Sequence, residues 1–207
     1  GYCMRCNEMS SFIVMDIVKE AEKYDDSIHF EIGQPDLPPS PKVKQALHQS
    51  IDENRFSYTQ SHGLIALREK VAKHYATTYG VHIDIDQIFL TPGTSGAFLI
   101  AYALTLKSGA TLGMSDPSYP CYKNFAHLLD IKPHFMPIGK EDNFELHVAD
   151  LKPHSLDALQ ISSPANPTGN IYTNENLKAL IEHCEAHSIA FISDELYHGL
   201  TYEKEAN

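Results

Sequence analysis

The stretch of residues 161–197, with the strand that leads into it, constrains the fold of this chain more than any other. Residues 158–162 and 189–193 are short apolar runs rich in Ile, Leu and Phe, and each ends abruptly in polar residues or proline, as buried strands do. Between them, Thr173 can cap a helix whose apolar positions recur at helical spacing. The pattern predicts a strand, a loop, a helix and a second strand, which is the repeating unit of a parallel sheet.

Two polar side chains follow the predicted strands. Asn166 comes after the first strand and Asp194 directly after the second. Because ligands of parallel α/β sheets bind beyond the carboxyl ends of the strands, we expect this amide and this carboxylate to face one crevice. For Asp194 taken alone, a helix cap or a salt bridge is the ordinary interpretation.

A second candidate site follows the strand predicted over residues 87–90. The small-residue turn of residues 91–96 leads there into an apolar helix over residues 97–106. Backbone N–H groups of such a turn can approach an anion, and the helix N-terminus adds partial positive charge. Neither the Walker pattern nor the Rossmann glycine spacing is present, so the sequence predicts a site for a phosphate that does not belong to a nucleotide. The residues concerned are Gly93, Thr94 and Ser95.

Composition narrows the class of protein. The chain has 207 residues, of which 43% are hydrophobic, enough to bury one sizeable core. Its formal net charge is -11 and no basic stripe is present, which argues against nucleic-acid binding. The apolar run of residues 12–18 is short and is interrupted by Asp16, so we expect neither a cleavable signal nor a membrane span, and we expect a cytoplasmic protein.

Candidate metal ligands are few in the sequence. Cys3 and Cys6 have C-x-x-C spacing, but no second pair completes a tetrahedral site. His183 and His187 stand four residues apart with no third ligand in the pattern. We therefore expect no metal, and we interpret the two histidines as part of an exposed helix face.

The remaining chain alternates between helices and short strands, which favours a mostly parallel α/β sheet flanked by helices. The predicted helices cover residues 12–23, begin at Ser40-Pro41, run from Leu64 to a close near Gly80, and pass through Phe125 and Leu129, while the further strands cover residues 110–114 and 132–138.

Several of these segments together resemble a known family. The run Ser163-Pro-Ala-Asn-Pro-Thr-Gly169, followed by Asp194-Glu-Leu-Tyr197, resembles the pyridoxal-phosphate-dependent class I/II aminotransferases of fold type I. Further matches in the family's order are residues 31–36, Tyr58-Thr59, residues 91–97 and residues 116–120. The resemblance implies the α/β fold of the fold-type I transferases, with pyridoxal 5'-phosphate as cofactor.

The resemblance also implies roles for single residues. Asp194 is placed beside the pyridine nitrogen of the cofactor, where a negative charge favours the protonated ring. Asn166 and Tyr197 are placed as hydrogen-bond donors to the ring's phenolate oxygen. Tyr119 is placed flat against the ring, although a core or turn aromatic is the plain alternative. The resemblance assigns binding of the cofactor phosphate to Gly93, Thr94 and Ser95.

Two implied roles lie nearer the N-terminus. Gly33 is placed beside the substrate carboxylate, and Tyr58 is placed on the cofactor phosphate of a neighbouring subunit, which implies a homodimer. A turn glycine before Pro35 and a surface tyrosine in a polar loop are the alternatives. The resemblance further predicts a cis peptide bond at Asn166-Pro167.

The resemblance divides the chain into residues 1–45, from the small domain, and residues 46–207, a large domain incomplete on its C-terminal side. The family's Schiff-base lysine and carboxylate-binding arginine belong to later segments. Lys204, the only lysine after Tyr197, stands in a charged run unlike the lysine segment. We therefore expect no catalytic residue in this chain, with the lysine beyond Asn207, and we expect the isolated chain to be inactive.

The function implied is transfer of an amino group between an amino acid and a 2-oxo acid. A β-lyase or related fold-type I enzyme is an alternative, because such enzymes share the ring-binding residues. A non-catalytic cofactor-binding or interaction domain is another. The sequence does not choose the amino acid.

Overall fold

A computed structural model describes residues 4–35, 37–200 and 202 of the chain. The chain forms two compact units. Gly1–Phe12 together with Gly93–Asn207 make up the first, which we call the sheet unit, and Ile13–Pro92 make up the second, the helical unit. The division into residues 1–45 and 46–207 that the resemblance implies stays a prediction.

Helices and strands alternate in the sheet unit, as the sequence predicts, whereas the described residues of the helical unit form helices and no strand. The α-helices are α1 Ile13–Ala21, α2 Pro41–Asp52, α3 Ile65–Tyr79, α4 Thr94–Thr105, α5 Cys121–Leu128, α6 Val148–Leu151 and α7 Asn174–Ala186. Short 3-10 turns cover Met4–Glu8, Ile85–Gln87 and Lys140–Asp142. The strands are β1 Thr111–Asp116, β2 Lys132–Pro137, β3 Ala158–Ser162 and β4 Ala190–Asp194. None of the described helices combines the length and apolar character needed to cross a membrane.

The sheet has the strand order β2-β1-β3-β4, and each neighbouring pair is parallel. In its register, Asp116 is opposite Pro137 and Ser162 is opposite Asp194, so the carboxyl ends of the strands meet along one edge. The prediction of a mostly parallel α/β sheet is confirmed.

Local sequence signals explain where the helices begin and end. The Thr173 side chain caps α7 by accepting a hydrogen bond from the Asn176 backbone N–H at 3.3 Å. Ser40 caps α2 in the same way, with Pro41 at the first helical position. Gly80 ends α3 in the left-handed conformation, at φ 68°.

The strand predicted over residues 87–90 is wrong. The Asp84 side chain accepts a hydrogen bond from the Asp86 backbone N–H at 2.9 Å, which closes the chain into a 3-10 turn at Ile85–Gln87. Beyond that turn, the Leu90 backbone N–H donates to the His62 carbonyl of a loop, at 2.9 Å. The apolar residues of this segment therefore lie in an irregular loop.

The sheet unit buries an apolar cluster on each face of its sheet. On one face α4 and α5 cover β1, with Phe98, Tyr102 and Tyr122 at the centre. On the other face, Leu159 of β3 packs in a cluster with Leu151 of α6 and Leu180 of α7. Because alternate residues of β3 point to opposite faces, Leu159 enters one cluster and Gln160 points towards the other. The site at the strand ends is built on this two-sided core.

Candidate functional site

Asp194 lies at the carboxyl end of β4, directly opposite Ser162 at the end of β3. The Ser163 backbone N–H donates to the Asp194 carbonyl oxygen at 3.1 Å and extends the pairing by one residue. Asn166 follows four residues after Ser162. The parallel register thus brings Asp194 and the start of the Asn166 loop to one edge of the sheet.

Two hydrogen bonds orient the Asp194 carboxylate. The Tyr122 hydroxyl donates to Oδ2, and the Leu196 backbone N–H donates to Oδ1 at 3.1 Å. An ionised carboxylate offers about four acceptor positions, so capacity for a further donor remains. The arrangement presents an oriented negative charge at the strand ends.

Tyr122 has no assigned role in the sequence analysis, yet it is the side chain that holds Asp194. Burial raises the pKa of its hydroxyl, and the hydrogen bond to Asp194 and the charge of that residue raise the pKa further. The group therefore remains a neutral donor at physiological pH. Tyr119 precedes α5 and Tyr122 lies in its first turn. The sequence separation of 72 residues between Tyr122 and Asp194 leaves no local signal for this contact.

Tyr119 lies against this group. Its ring is half-buried and makes edge contacts with the rings of Tyr122 and Phe12, at centroid distances of 5.3 and 5.9 Å. Burial, then the Cys121 thiol, raise the pKa of Tyr119 to about 12. Tyr197 and Asp194 contribute to the same rise, which places both near Tyr119.

Asn166 and Tyr197 offer free polar groups here. Neither side chain makes a hydrogen bond within the described part of the chain. Asn166 lines a small cavity of about 10 Å³ together with Tyr122 and Ser162. A volume of this size holds about one water molecule. The Asn166 amide and the Tyr197 hydroxyl, which the resemblance assigns to a ring oxygen, thus have no hydrogen-bond partner among the described residues.

The first turn of α4 points towards the same edge. The Phe98 ring lies 5.1 Å from the Tyr122 ring, whereas Tyr102, one turn later, reaches Gln160 in the body of β3. Gly93 precedes the helix at φ 84°, a conformation that glycine adopts without steric cost. Thr94 and Ser95 are exposed. Phosphate binding by this turn is compatible with its position and stays a prediction.

The Asn166 loop is closely folded. The peptide bond Asn166-Pro167 is cis, which confirms the prediction, and Asp116-Pro117 and Ser163-Pro164 are cis as well. The loop is closed by hydrogen bonds from Gly169 N–H to the Ala165 carbonyl, at 2.8 Å, and from Ala165 N–H to the Asn170 carbonyl, at 3.0 Å. Gly169 adopts φ 71° at this turn.

A neighbouring loop braces this turn, which the sequence analysis did not foresee. The Asn170 side-chain amide donates to the Phe144 carbonyl at 2.8 Å. Glu145, which is buried, accepts a hydrogen bond from the Thr173 backbone N–H at 2.7 Å. These contacts join positions 26 and 28 residues apart in sequence, a separation at which pattern gives no signal. They fix the loop that carries Asn166.

The two remaining predicted site residues belong to the helical unit. Tyr58 is fully exposed, and a Cβ added at Gly33 would meet nothing within 4 Å. The predicted roles of both stay predictions. Asp36 of the same motif lies outside the described residues, as do Cys3 and Lys204.

The described residues contain no group of three or more His, Cys, Asp or Glu that could hold a metal ion. His183 and His187 pack ring against ring at a centroid distance of 4.1 Å. The His187 Nδ1 also lies 2.8 Å from the His183 carbonyl oxygen. His183 of α7 is half-buried, and His187, which directly follows the helix, is exposed.

Comparison with known proteins gives a consistent result. The model of the family "Aminotransferase class I and II" matches residues 25–207. The chain is 32% identical to a valine–pyruvate aminotransferase of Mycobacterium tuberculosis, over 93% of this chain and 51% of the relative. It is 35% identical to a (5-formylfuran-3-yl)methyl phosphate transaminase of Methanocaldococcus jannaschii, over 96% of this chain and 52% of the relative.

Solved structures agree with these relatives. The crystal structure of an aminotransferase from M. tuberculosis superposes with a TM-score of 0.94 at 30% identity, and the match covers 100% of this chain and 55% of that one. The chain therefore spans about half the length of the relatives it matches.

Proposed function

Because this chain belongs to the class I and II aminotransferase family, we propose that it forms the cofactor-binding part of an enzyme that moves an amino group between an amino acid and a 2-oxo acid. The observation that carries the proposal is the oriented carboxylate of Asp194 at the strand ends, held by Tyr122 and flanked by Tyr119 and Tyr197. The fold alone would not suffice, since one fold serves many reactions.

The donor set fits pyridoxal phosphate. When bound, this cofactor supplies an electron sink for negative charge at the α-carbon of an amino acid. Asp194 would hold a proton on the pyridine nitrogen, because its negative charge favours the cationic ring. Asn166 and Tyr197 would donate to the ring oxygen, and Tyr119 would pack against the ring.

The phosphate would bind at the first turn of α4. Thr94 and Ser95 offer backbone N–H groups and two hydroxyls at an exposed helix N-terminus, and Gly93 directly precedes them. The partial positive charge of that terminus favours a dianion there. The proposal thus assigns the phosphate to the N-terminus of α4 and the ring to the side chains at the carboxyl ends of the strands.

The substrate class follows from the relatives only in broad terms. Their names include valine–pyruvate aminotransferase, aspartate aminotransferase and a transaminase of a furan phosphate. Amino transfer is what these names share, so we propose an amino acid and a 2-oxo acid as the substrate pair without choosing between side chains.

We propose a homodimer, in which Tyr58 reaches the neighbouring subunit's cofactor. The full exposure of Tyr58, together with exposed apolar residues such as Val43 and Leu47, supports this proposal. Sedimentation velocity over a range of concentrations tests it. A monomer at all concentrations would contradict the assignment of Tyr58.

We further propose that the 207-residue chain binds pyridoxal phosphate but does not transaminate, since the described side chains gathered around Asp194 include no lysine. Incubation with the cofactor, borohydride reduction and peptide mapping would test this, beside a coupled transamination assay. Turnover, or one specific adduct on a lysine of this chain, would overturn it.

Two matched variants test the proposed role of Asp194 in binding the ring. Asp194→Asn removes the charge at the carboxyl ends of the strands. Asp157→Asn makes the same change at their amino ends, where the Asp157 carboxylate accepts from the Thr111 backbone N–H at 2.8 Å. We expect the dissociation constant of pyridoxal phosphate to rise at least about tenfold for Asp194→Asn, the loss of one charge-assisted hydrogen bond, and to stay unchanged for Asp157→Asn. Equal binding by both variants would contradict the proposal.

A further inference from the structure

The segment of residues 5–12, which we call the strap, lies along α5 within the sheet unit. Residues 5, 8, 10 and 12 of the strap contact residues 130, 127, 124 and 119 in turn. As the residue numbers of the strap rise, those of its partners fall. The strap therefore runs antiparallel to α5, from just beyond the end of the helix to just before its start. The amino-transfer proposal above gives this segment no role.

Asn124 of α5 holds the backbone of Ser10 by two hydrogen bonds. The Ser10 N–H donates to Asn124 Oδ1 at 3.1 Å, and Asn124 Nδ2 donates to the Ser10 carbonyl at 2.9 Å. One side-chain amide thus engages both backbone groups of a single residue, as a paired residue in an antiparallel sheet does. Two such bonds restrain the direction of the backbone as well as its position, two residues before Phe12.

Two charged contacts lie nearer the N-terminus of the strap. The Arg5 guanidinium reaches the Asp130 carboxylate through two nitrogens, at 2.7 and 3.0 Å. Glu8 Oε2 lies 3.1 Å from His127 Nδ1. The side chains of Arg5 and Glu8 are more than half exposed, and exposed ion pairs contribute little to stability. We therefore assign the fixing of the strap to the Asn124 amide.

The C-terminal end of the strap places Phe12 against Tyr119. The two ring centroids are 5.9 Å apart and the ring planes meet at 83°, an edge contact of the kind that aromatic pairs favour. Tyr122, which is buried, makes a second edge contact with Tyr119, at 5.3 Å and 80°. Tyr119 itself lies in the loop before α5. Its ring is thus held by one aromatic contact from the core and one from the strap.

We propose that Phe12 is a positioning residue for the Tyr119 ring and that Asn124 keeps Phe12 in place through the strap. Packing between two rings depends on their relative orientation, so a Tyr119 ring that is free to turn would lose part of its contact with a ligand ring. The proposal rests on the proposed function in one respect, namely that the pyridine ring of the cofactor is what Tyr119 packs against. The contacts of the strap do not depend on that function.

Proton NMR of the chain without cofactor tests the arrangement of the strap. Phe12→Leu keeps an apolar side chain but removes the ring, so we expect the ring protons of Tyr119, identified with Tyr119→Phe, to shift as the ring current of Phe12 is lost. Asn124→Leu removes both hydrogen bonds at similar volume and should shift the same signals. Asn174→Leu is the control, because Asn174 is exposed and its side chain makes no hydrogen bond among the described residues. Unchanged Tyr119 signals in Asn124→Leu would overturn the role of Asn124.

Binding of pyridoxal phosphate tests the consequence. We expect its dissociation constant to rise about threefold in Phe12→Leu and in Asn124→Leu, the loss of one aromatic contact, and to stay unchanged in Asn174→Leu. Phe12→Tyr keeps a ring at this position and should retain wild-type affinity. The circular dichroism of the cofactor band, per bound molecule, should change in the first two variants only, which a general loss of stability would not produce.

Two outcomes would overturn the positioning role of Phe12. One is wild-type affinity and dichroism in Phe12→Leu, and the other is a loss in Phe12→Tyr as large as that in Phe12→Leu. A wild-type chain that does not bind the cofactor would refute the proposed function, while the NMR comparison would still decide whether the strap sets the Tyr119 ring.

Discussion

The sheet unit and the helical unit are built in opposite ways. The sheet unit buries Leu, Met, Tyr and Phe side chains in two clusters. In the described part of the helical unit, Arg68 is the one residue that is buried, at 4% exposure. Its guanidinium donates to the Gly63 and Ile85 carbonyls, at 3.2 and 2.9 Å, and to the Gln60 side chain. One unit is organised by apolar packing and the other by a charged group that gathers loop carbonyls.

This difference shows which part of the chain is able to hold a site by itself. The residues around Asp194 rest on a packed core, so their geometry has a local physical cause. The apolar stripe of α2, formed by Val43, Leu47 and Ile51, is exposed in this chain. Tyr58, in the same unit, is fully exposed, so packing within the helical unit does not fix the position of its side chain.

The largest expected effect contrasts two leucines. Leu159→Ala empties a position that is 0% exposed in β3, and we expect it to lower the free energy of unfolding by about 2–5 kcal/mol. Leu47→Ala makes the same change at a side chain that is 61% exposed in α2, and should alter it by less than about 0.5 kcal/mol. Urea unfolding of both variants measures the contrast. A similar loss in the two would mean that the helical unit packs as tightly as the sheet unit.

Arg68 is the corresponding test in the helical unit. Arg68→Met keeps the apolar stem but leaves the Gly63 and Ile85 carbonyls without their donor, so we expect a loss of about 1–3 kcal/mol. Arg55→Met removes an exposed pair with Glu53 and should cost less than about 1 kcal/mol. Native-state hydrogen exchange of α3 amides reports both. Undisturbed exchange in Arg68→Met would show that the guanidinium does not organise this unit.

Two glycines allow the backbone of the two units to be compared without a contribution from side-chain packing. Gly169 in the sheet unit and Gly80 in the helical unit have φ 71° and 68°, and an added Cβ would meet nothing within 4 Å at either. Gly→Ala should cost about 1 kcal/mol at each, since only the left-handed backbone resists. Thermal unfolding measures the two losses. A much larger loss at Gly169 would mean that the turn tolerates no backbone adjustment.

The smallest expected effect is the change in stability of each unit as the pH falls. Partial burial, then the charges of His187 and Lys152, lower the pKa of His183 in the sheet unit. Because the unfolded chain then binds the proton more readily, His183 destabilises the fold as the pH falls below about 6.5. In the helical unit, the His29 hydrogen bond lowers the pKa of Glu31 from 4.5, so its stabilisation is complete at neutral pH and is lost only below pH 4.5.

NMR titration of the His183 ring and the Glu31 carboxyl carbon separates these two pH windows. His183→Gln and Glu31→Gln are the controls, since each should abolish the pH dependence in its own window only. A His183 titration at or above the ordinary value for histidine would contradict the first assignment.

Sequence patterns predicted the parallel sheet, the caps of Ser40 and Thr173, and the shared edge of Asp194 and Asn166, because each depends on a short run of residues. The Tyr122 to Asp194 hydrogen bond spans 72 residues and the Tyr102 to Gln160 hydrogen bond spans 58, and neither leaves a local signal.

The strand predicted at residues 87–90 failed for a related reason. A run of apolar residues indicates burial, but it does not show which backbone group each residue pairs with. The Leu90 N–H finds a single loop carbonyl, that of His62, where a strand needs a whole neighbouring ladder.

Strand β4, which carries Asp194, pairs on one side only, with β3, among the strands that the structure describes. A strand with a single neighbour opens more easily than a central one, so its amides exchange with solvent through fraying rather than through global unfolding. The hydrogen bond from Tyr122 ties the end of this strand to α5, and it must break whenever the end of β4 opens. Any molecule that binds Asp194 selects the closed form and should slow amide exchange along β4, so that occupancy of the crevice can be followed from the backbone of one strand.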